Sequence, residues 1–190
     1  MISILLGCGL RRAELACLRR EDVQIRQGHW AIVDLVGKGG RVRPVPMPLW
    51  VKSAVDRWMT AATVTDGRVF RAISRHGTTW GKGISENVVW YVVRNCARRV
   101  ELDHLAPHDL RRTCAKLCHV NGGELEQIQF LLGHASVLTT ERYLGYRIWR
   151  SPSTTGSDLC SSEPSIRAKA CWTQLRIMRR QIGERWPICR

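Results

Sequence analysis

Apolar residues recur at helical spacing from Ile2 to Leu18, and the run is broken at residues 7–10 by GCGL. Its two glycines predict a turn between two short helices, with Arg11 opening the second. Residues 23–26, 31–36 and 41–46 (VQIR, AIVDLV, RVRPVP) are short and rich in β-branched side chains, with turn sequences QGHW and GKGG between them. They predict a small three-stranded antiparallel meander, whose last strand is confined to an edge by Pro44 and Pro46, since proline cannot donate to a ladder on both sides. Residues 48–62 (PLWVKSAVDRWMTAA) begin with proline and keep Trp50, Val51, Val55, Trp58 and Met59 mostly on one helical stripe. Weak periodicity at 63–83 reads as a loop with one short strand at RVF, 68–70. SENVVWYVVRNCARRV then offers Ser85 as an N-cap and a long apolar helix in which Tyr91 is expected in the core. HDLRRTCAKLCHV, ELEQIQFLLG and SVLTTERYLG are three further helices, punctuated by NGG at 121–123 and GHAS at 133–136. The fold class is mainly α with a small three-stranded antiparallel β-sheet, an α+β arrangement.

The pattern changes after Gly145. SPSTTGSDLCSSEPS at 151–165 is a polar linker, and Leu175, Met178 and Ile182 then share one face among arginines, so a helix is expected over 166–183. The chain thus reads as one domain over 1–147 and a basic tail over 148–190, which suits a length of 190 residues. Charge narrows the partner. Thirty Lys and Arg against sixteen Asp and Glu give a formal +14, the footprint of a polyanion-binding protein, with nucleic acid favoured. An anionic membrane surface would favour a basic amphipathic helix or a lipidation signal, and the N-terminal MISILLGCGLRRAEL shows no lipidation motif. No positive segment precedes the apolar start, so no signal peptide is read and a cytoplasmic protein is expected. The eight cysteines include no CxxC pair and are expected to be reduced thiols. Cys114, Cys118 and His119 are conceivable metal ligands, but the four-residue spacing of the cysteines fits a buried helix face, and no metal is expected.

His108 and Arg111, three apart on a helix, share a face. Taken singly, each candidate has an ordinary explanation: a helix start for this pair, a polar cap for His134, core packing for Tyr143, a solvated hairpin tip for Lys38, and a helix-opening cation for Arg11. Taken together, GLRRAEL, GKGGRVRPVP, HDLRRT, LLGHAS and TTERYLG, in that order, resemble the catalytic domain of the tyrosine recombinase or phage integrase family. The resemblance covers about residues 2–145. It implies a DNA strand-breaking and rejoining enzyme whose first arginine is Arg11, hairpin lysine Lys38, HxxR pair His108 and Arg111, second histidine His134 and nucleophile Tyr143.

Those residue types suit the chemistry. Guanidiniums at Arg11 and Arg111 would stabilise charge on the nonbridging oxygens of a phosphodiester. Tyr143 would form a covalent 3′-phosphotyrosyl intermediate that preserves the bond for religation. His108 is the expected proton acceptor, Lys38 the expected donor to the departing 5′ oxygen, and His134 a phosphate hydrogen-bond donor. Arg12 and Arg112, one residue along their helices, point elsewhere and are expected to contact other phosphates or solvent. The resemblance implies double-stranded DNA as partner, a DNA-bound tetramer, and no cofactor. It also implies an N-terminal DNA-clamping domain and further helix ahead of Arg11, where only ten residues stand, so the sequence reads as N-terminally truncated, and activity of the chain alone is in question. Residues 146–190 match no pattern of the family and read as a replaced or frame-shifted end. Alternatives are a non-catalytic DNA-binding remnant, a type IB topoisomerase-like strand transferase and, less favoured, a helix-turn-helix regulator, which would leave Arg11, Lys38 and Tyr143 unexplained.

Overall fold

The computed structural model describes residues 1–37, 40, 42–102 and 104–145. Helices α1 (Ile2–Gly7) and α2 (Arg12–Cys17) are separated by the glycine turn. Gly9 has φ +60, and a Cβ there would lie 3.1 Å from the Leu132 side chain and 3.3 Å from Cys114 Sγ. Backbone freedom and close approach both require glycine at that point.

Strands β1 (Val23–Arg26), β2 (His29–Val36) and β3 (Val42–Pro46) pair antiparallel in that order. β2 starts at His29, two residues ahead of the AIVDLV stretch. Register runs Val23 to Ile32 and Ile32 to Val45, with an irregularity between Ile32 and Leu35. There Asp34 has φ +52, so the bulge restores Leu35 to the buried face. β3 is an edge strand, as its prolines require. Helix α3 (Leu49–Ala61) follows, burying Val51 and Val55.

The 63–83 region departs from expectation. Arg68–Phe70 forms no strand: Arg68 makes a single bridge to Arg19, and the Val69 N–H donates to the Leu18 carbonyl at 2.9 Å. Val69 and Phe70 reach the core directly, so burial, not pairing, accounts for their apolar character. A short hairpin of two-residue strands, β4 (Ala72–Ile73) with β5 (Thr79–Trp80), follows instead.

Helix α4 (Glu86–Arg98) buries Val89, Val93 and Ala97, a strict four-residue stripe. Tyr91 lies two residues off that stripe and is 61% exposed, stacked edge-on with Trp90, so it is a surface residue and not core. Helices α5 (Pro107–Val120), α6 (Leu125–Leu132) and α7 (Val137–Leu144) complete the domain.

The main core gathers α1, α2, the sheet, α3 and α4 around residues such as Leu5, Leu15, Ile32, Val51 and Val89. A second cluster of Cys114, Ala115, Cys118, Ile128 and Leu132 joins α5 to α6, and Tyr143 and Leu144 pack against it. Eight residues are too few for α7 to persist unaided, so this contact holds it. Its ends are fixed locally: the Ser136 hydroxyl accepts from the Leu138 N–H at 3.2 Å, and Gly145 closes the helix at φ +92. Among the described residues no helix is long and apolar enough to cross a membrane.

Candidate active site

α5 begins with Pro107, and the Asp109 carboxylate accepts from the Ala106 N–H at 3.0 Å. This start fixes His108 and Arg111 on one face. Arg111 is only 3% exposed and donates to the carbonyls of Gly9 and Leu132, tying α5 to the glycine turn and to the end of α6. Burial, reinforced by repulsion from Arg11, lowers its pKa to about 10, which still leaves it charged at neutral pH.

Arg11 stands at the N-cap of α2. Its backbone N–H donates to Glu14 Oε2 at 2.7 Å, its Nη1 to Glu14 Oε1 at 2.8 Å, and its Nη2 to the Gly133 carbonyl at 3.1 Å. Glu14 is itself buried and receives a second arginine, Arg43 of β3, whose Nη1 and Nη2 donate to its two oxygens at 3.1 Å each. Burial alone would raise the Glu14 carboxyl, but the hydrogen bonds and charge of Arg43 and Arg11 outweigh it and hold the group below its ordinary value. Glu14 is therefore an anion that aligns two cations.

Tyr143 projects from α7 between two imidazoles. Its ring meets His108 edge-on at 5.1 Å and His134 at 5.0 Å. The hydroxyl lies 3.4 Å from His108 Nδ1 and 3.5 Å from the His108 carbonyl, both long contacts. Burial raises the Tyr143 pKa against the pull of Arg111 and Arg112, so the phenol is protonated at rest and needs a base. Burial, together with Arg112 and Arg111, lowers that of His108, which is therefore neutral at pH 7 and able to accept a proton. His134 is pushed down to about 4 by burial and by Arg111, Arg11 and Arg43, and its Nδ1 pairs with the buried Thr140 hydroxyl at 3.0 Å. Arg112 is exposed, with its guanidinium 5.4 Å from the centre of the Tyr143 ring.

The structure thus brings Arg11, His108, Arg111, His134 and Tyr143 together. Lys38 lies outside the described residues, although its neighbour Gly37 lines a cavity of about 950 Å³ that also touches Arg11, Arg12, Trp90, His108 and Arg111. Glu14, Arg43 and Thr140 were not singled out from the sequence. Two of them had a signal: Glu14 stands three residues after a helix-opening Arg11, and Arg43 occupies an inward position of an alternating strand, where a cation demands a buried partner.

A helix-rich domain with this small sheet and this arginine–histidine–tyrosine cluster has the tyrosine recombinase catalytic-domain fold. Residues 1–147 match the model of the phage integrase family, and the chain belongs to that family. It is similar to the tyrosine recombinase XerC of Pseudomonas aeruginosa, with 32% identity over 146 residues, covering 75% of this chain and 45% of the relative. The tyrosine recombinase XerD of Ralstonia nicotianae is 30% identical over 149 residues, covering 75% and 46%. Among solved structures, that of XerA recombinase matches with a TM-score of 0.59 and 25% identity, over 97% of this chain and 57% of that one. XerH bound to its difH substrate, at 24% identity and a TM-score of 0.59 over 75% of this chain and 41% of that one, shares the fold. The chain spans less than half the length of these two curated relatives.

Proposed function

We propose that residues 1–147 are the catalytic domain of a site-specific DNA recombinase that cuts and rejoins strands through Tyr143. The observation that carries this reading is the convergence of Arg11, His108, Arg111 and His134, from three separate stretches of sequence, on Tyr143 of a fourth.

Tyr143 Oη attacks the phosphorus of a DNA phosphodiester and passes its proton to His108. The bond to the 5′ oxygen breaks, and that oxygen takes a proton from Lys38. A 3′-phosphotyrosyl ester remains, and attack on it by a 5′ hydroxyl reverses each transfer and releases the phenol. Arg11 and Arg111 each spend part of their donor set on backbone carbonyls, which holds the planes still while the remaining N–H groups meet the nonbridging oxygens. His134 adds a neutral donor. These cations supply the charge that a metal would otherwise bring, so the mechanism assigns no step to a metal or cofactor. Double-stranded DNA fits the +14 charge of the chain, with exchange by four copies on DNA in the cytoplasm.

The test is a nicked DNA site whose short fragment diffuses away after cutting, used with the chain alone and joined to a DNA-clamping domain. A protein–DNA adduct stable to denaturing electrophoresis, formed without added metal and lost in Tyr143→Phe, is the expected result. Binding without an adduct would instead make the chain a DNA-binding remnant.

A further inference from the structure

An α-helix leaves its last four carbonyls without intrahelical donors. At the end of α6 the Gln129 and Phe130 carbonyls are met by the Gly133 N–H, and Gln129 also by the His134 N–H at 3.0 Å. The next three carbonyls are met differently. Leu131 accepts from Arg43 Nε at 3.1 Å, Leu132 from Arg111, and Gly133 from Arg11 Nη2 at 3.1 Å. Three consecutive carbonyls therefore receive three arginines, sent by β3, α5 and the N-cap of α2. Aligned carbonyls at a helix C-terminus attract cations, which offsets the mutual repulsion of guanidiniums gathered so closely. Among the described residues Glu14 supplies the anion of the cluster and bridges Arg43 to Arg11.

We propose that the C-terminal turn of α6 is the template that seats the two site arginines, and that Arg43, bound to that turn and to Glu14, is a positioning residue for Arg11. The proposal rests on the reading of Arg11 and Arg111 as phosphate-binding groups. Arg43 is buried and has its fork filled by Glu14 and its Nε by Leu131, so it acts on DNA only through Arg11. Gly133 fits the same plan. Its φ is +61, and a Cβ there would come within 2.9 Å of Arg43 Nη1 and 3.0 Å of its Cζ, so Arg43 lies flat against the turn. Lysine keeps the charge at position 43 but offers neither the planar fork nor the Nε donor.

Two variants, Arg43→Lys and Glu14→Gln, separate positioning from mere stability. The direct readout needs no activity: nitrogen-15 NMR of arginine side chains in the full chain, with the Arg11 signals assigned by their loss in Arg11→Lys. Loosening or neutralising the Glu14 carboxylate that accepts from Arg11 Nη1 should speed solvent exchange of the Arg11 guanidinium protons by about tenfold or more in either variant. The second readout is single-turnover cleavage of the nicked site at saturating DNA. Arg43→Lys should cut about 100-fold slower, as misplacement by about 1 Å would cause, with Kd for DNA changed less than about threefold. Wild-type exchange at Arg11 in both folded variants, or wild-type cleavage in both, overturns the inference. So does failure of both to fold by circular dichroism, which would make the pair a folding element. A wild-type chain that forms no adduct sinks the proposed function instead, and the NMR arm still decides the template.

Discussion

Arg111→Met separates what a buried arginine does for the fold from what it does for the reaction. The arginine is 3% exposed, and its pKa is lowered from the ordinary guanidinium value to about 10, chiefly through burial. That displacement corresponds to about 3 kcal/mol against the charged form in the folded state, present at neutral pH. Methionine, unbranched and of similar reach, removes this penalty and adds apolar contact beside Cys114 and Leu132. Against it stand two carbonyls, of Gly9 and Leu132, that lose their donor at about 1–3 kcal/mol each. The opposing effects nearly cancel, so stability by urea unfolding should lie within about 2 kcal/mol of wild type. Adduct formation should fall by at least about 100-fold, since the transition state loses a principal donor to its developing charge. A stability loss above about 4 kcal/mol, with DNA binding lost in parallel, would refute this reasoning and make Arg111 a structural tie before all else.

Two further outcomes follow from the same geometry. Because His134 is held down to about 4 from an ordinary 6.5, the unfolded chain binds its proton first, and folding stability should fall as pH drops from about 6.5 to 4 and level off below; His134→Gln should flatten that part of a urea-midpoint profile, and an unchanged slope would contradict it. Leu132→Ala empties the centre of the cluster beneath Tyr143 and should cost about 2–5 kcal/mol, read as a lowered urea midpoint; a loss below about 1 kcal/mol would mean that α7 is held elsewhere.

Much of the fold is legible in local punctuation. Gly133 and Gly145 both take left-handed backbone at helix ends, and Ser136 caps α7 with its hydroxyl, so the last helices can be bounded from the sequence. The sheet follows from β-branched runs and its prolines. What failed is what depends on tertiary partners. The Arg68–Phe70 stretch looks like a strand because it is apolar, but its use is burial against the chain near Leu18. Tyr91 looks like core because α4 is apolar on more than one side, and only the packing of Val89, Val93 and Ala97 selects the inward stripe. The site shows the same division. Five spaced boxes point to Arg11, Lys38, His108, Arg111, His134 and Tyr143, but the buried Glu14–Arg43 pair joins residues 29 apart, and no local periodicity encodes that contact.

The most direct measurement of the central claim is the covalent attachment point. Trypsin cleavage after Arg142 and Arg147 places Tyr143 and Tyr146 in one peptide, YLGYR, so fragmentation by mass spectrometry must locate the nucleotide within it. With the nicked-site adduct digested by nuclease and trypsin, the nucleotide should sit as a phosphodiester on Tyr143, and Tyr146→Phe should leave its yield unchanged. Attachment at Tyr146 or elsewhere, or an adduct that persists in Tyr143→Phe, would contradict the assignment of the nucleophile and with it the mechanism built around His108 and the two arginines.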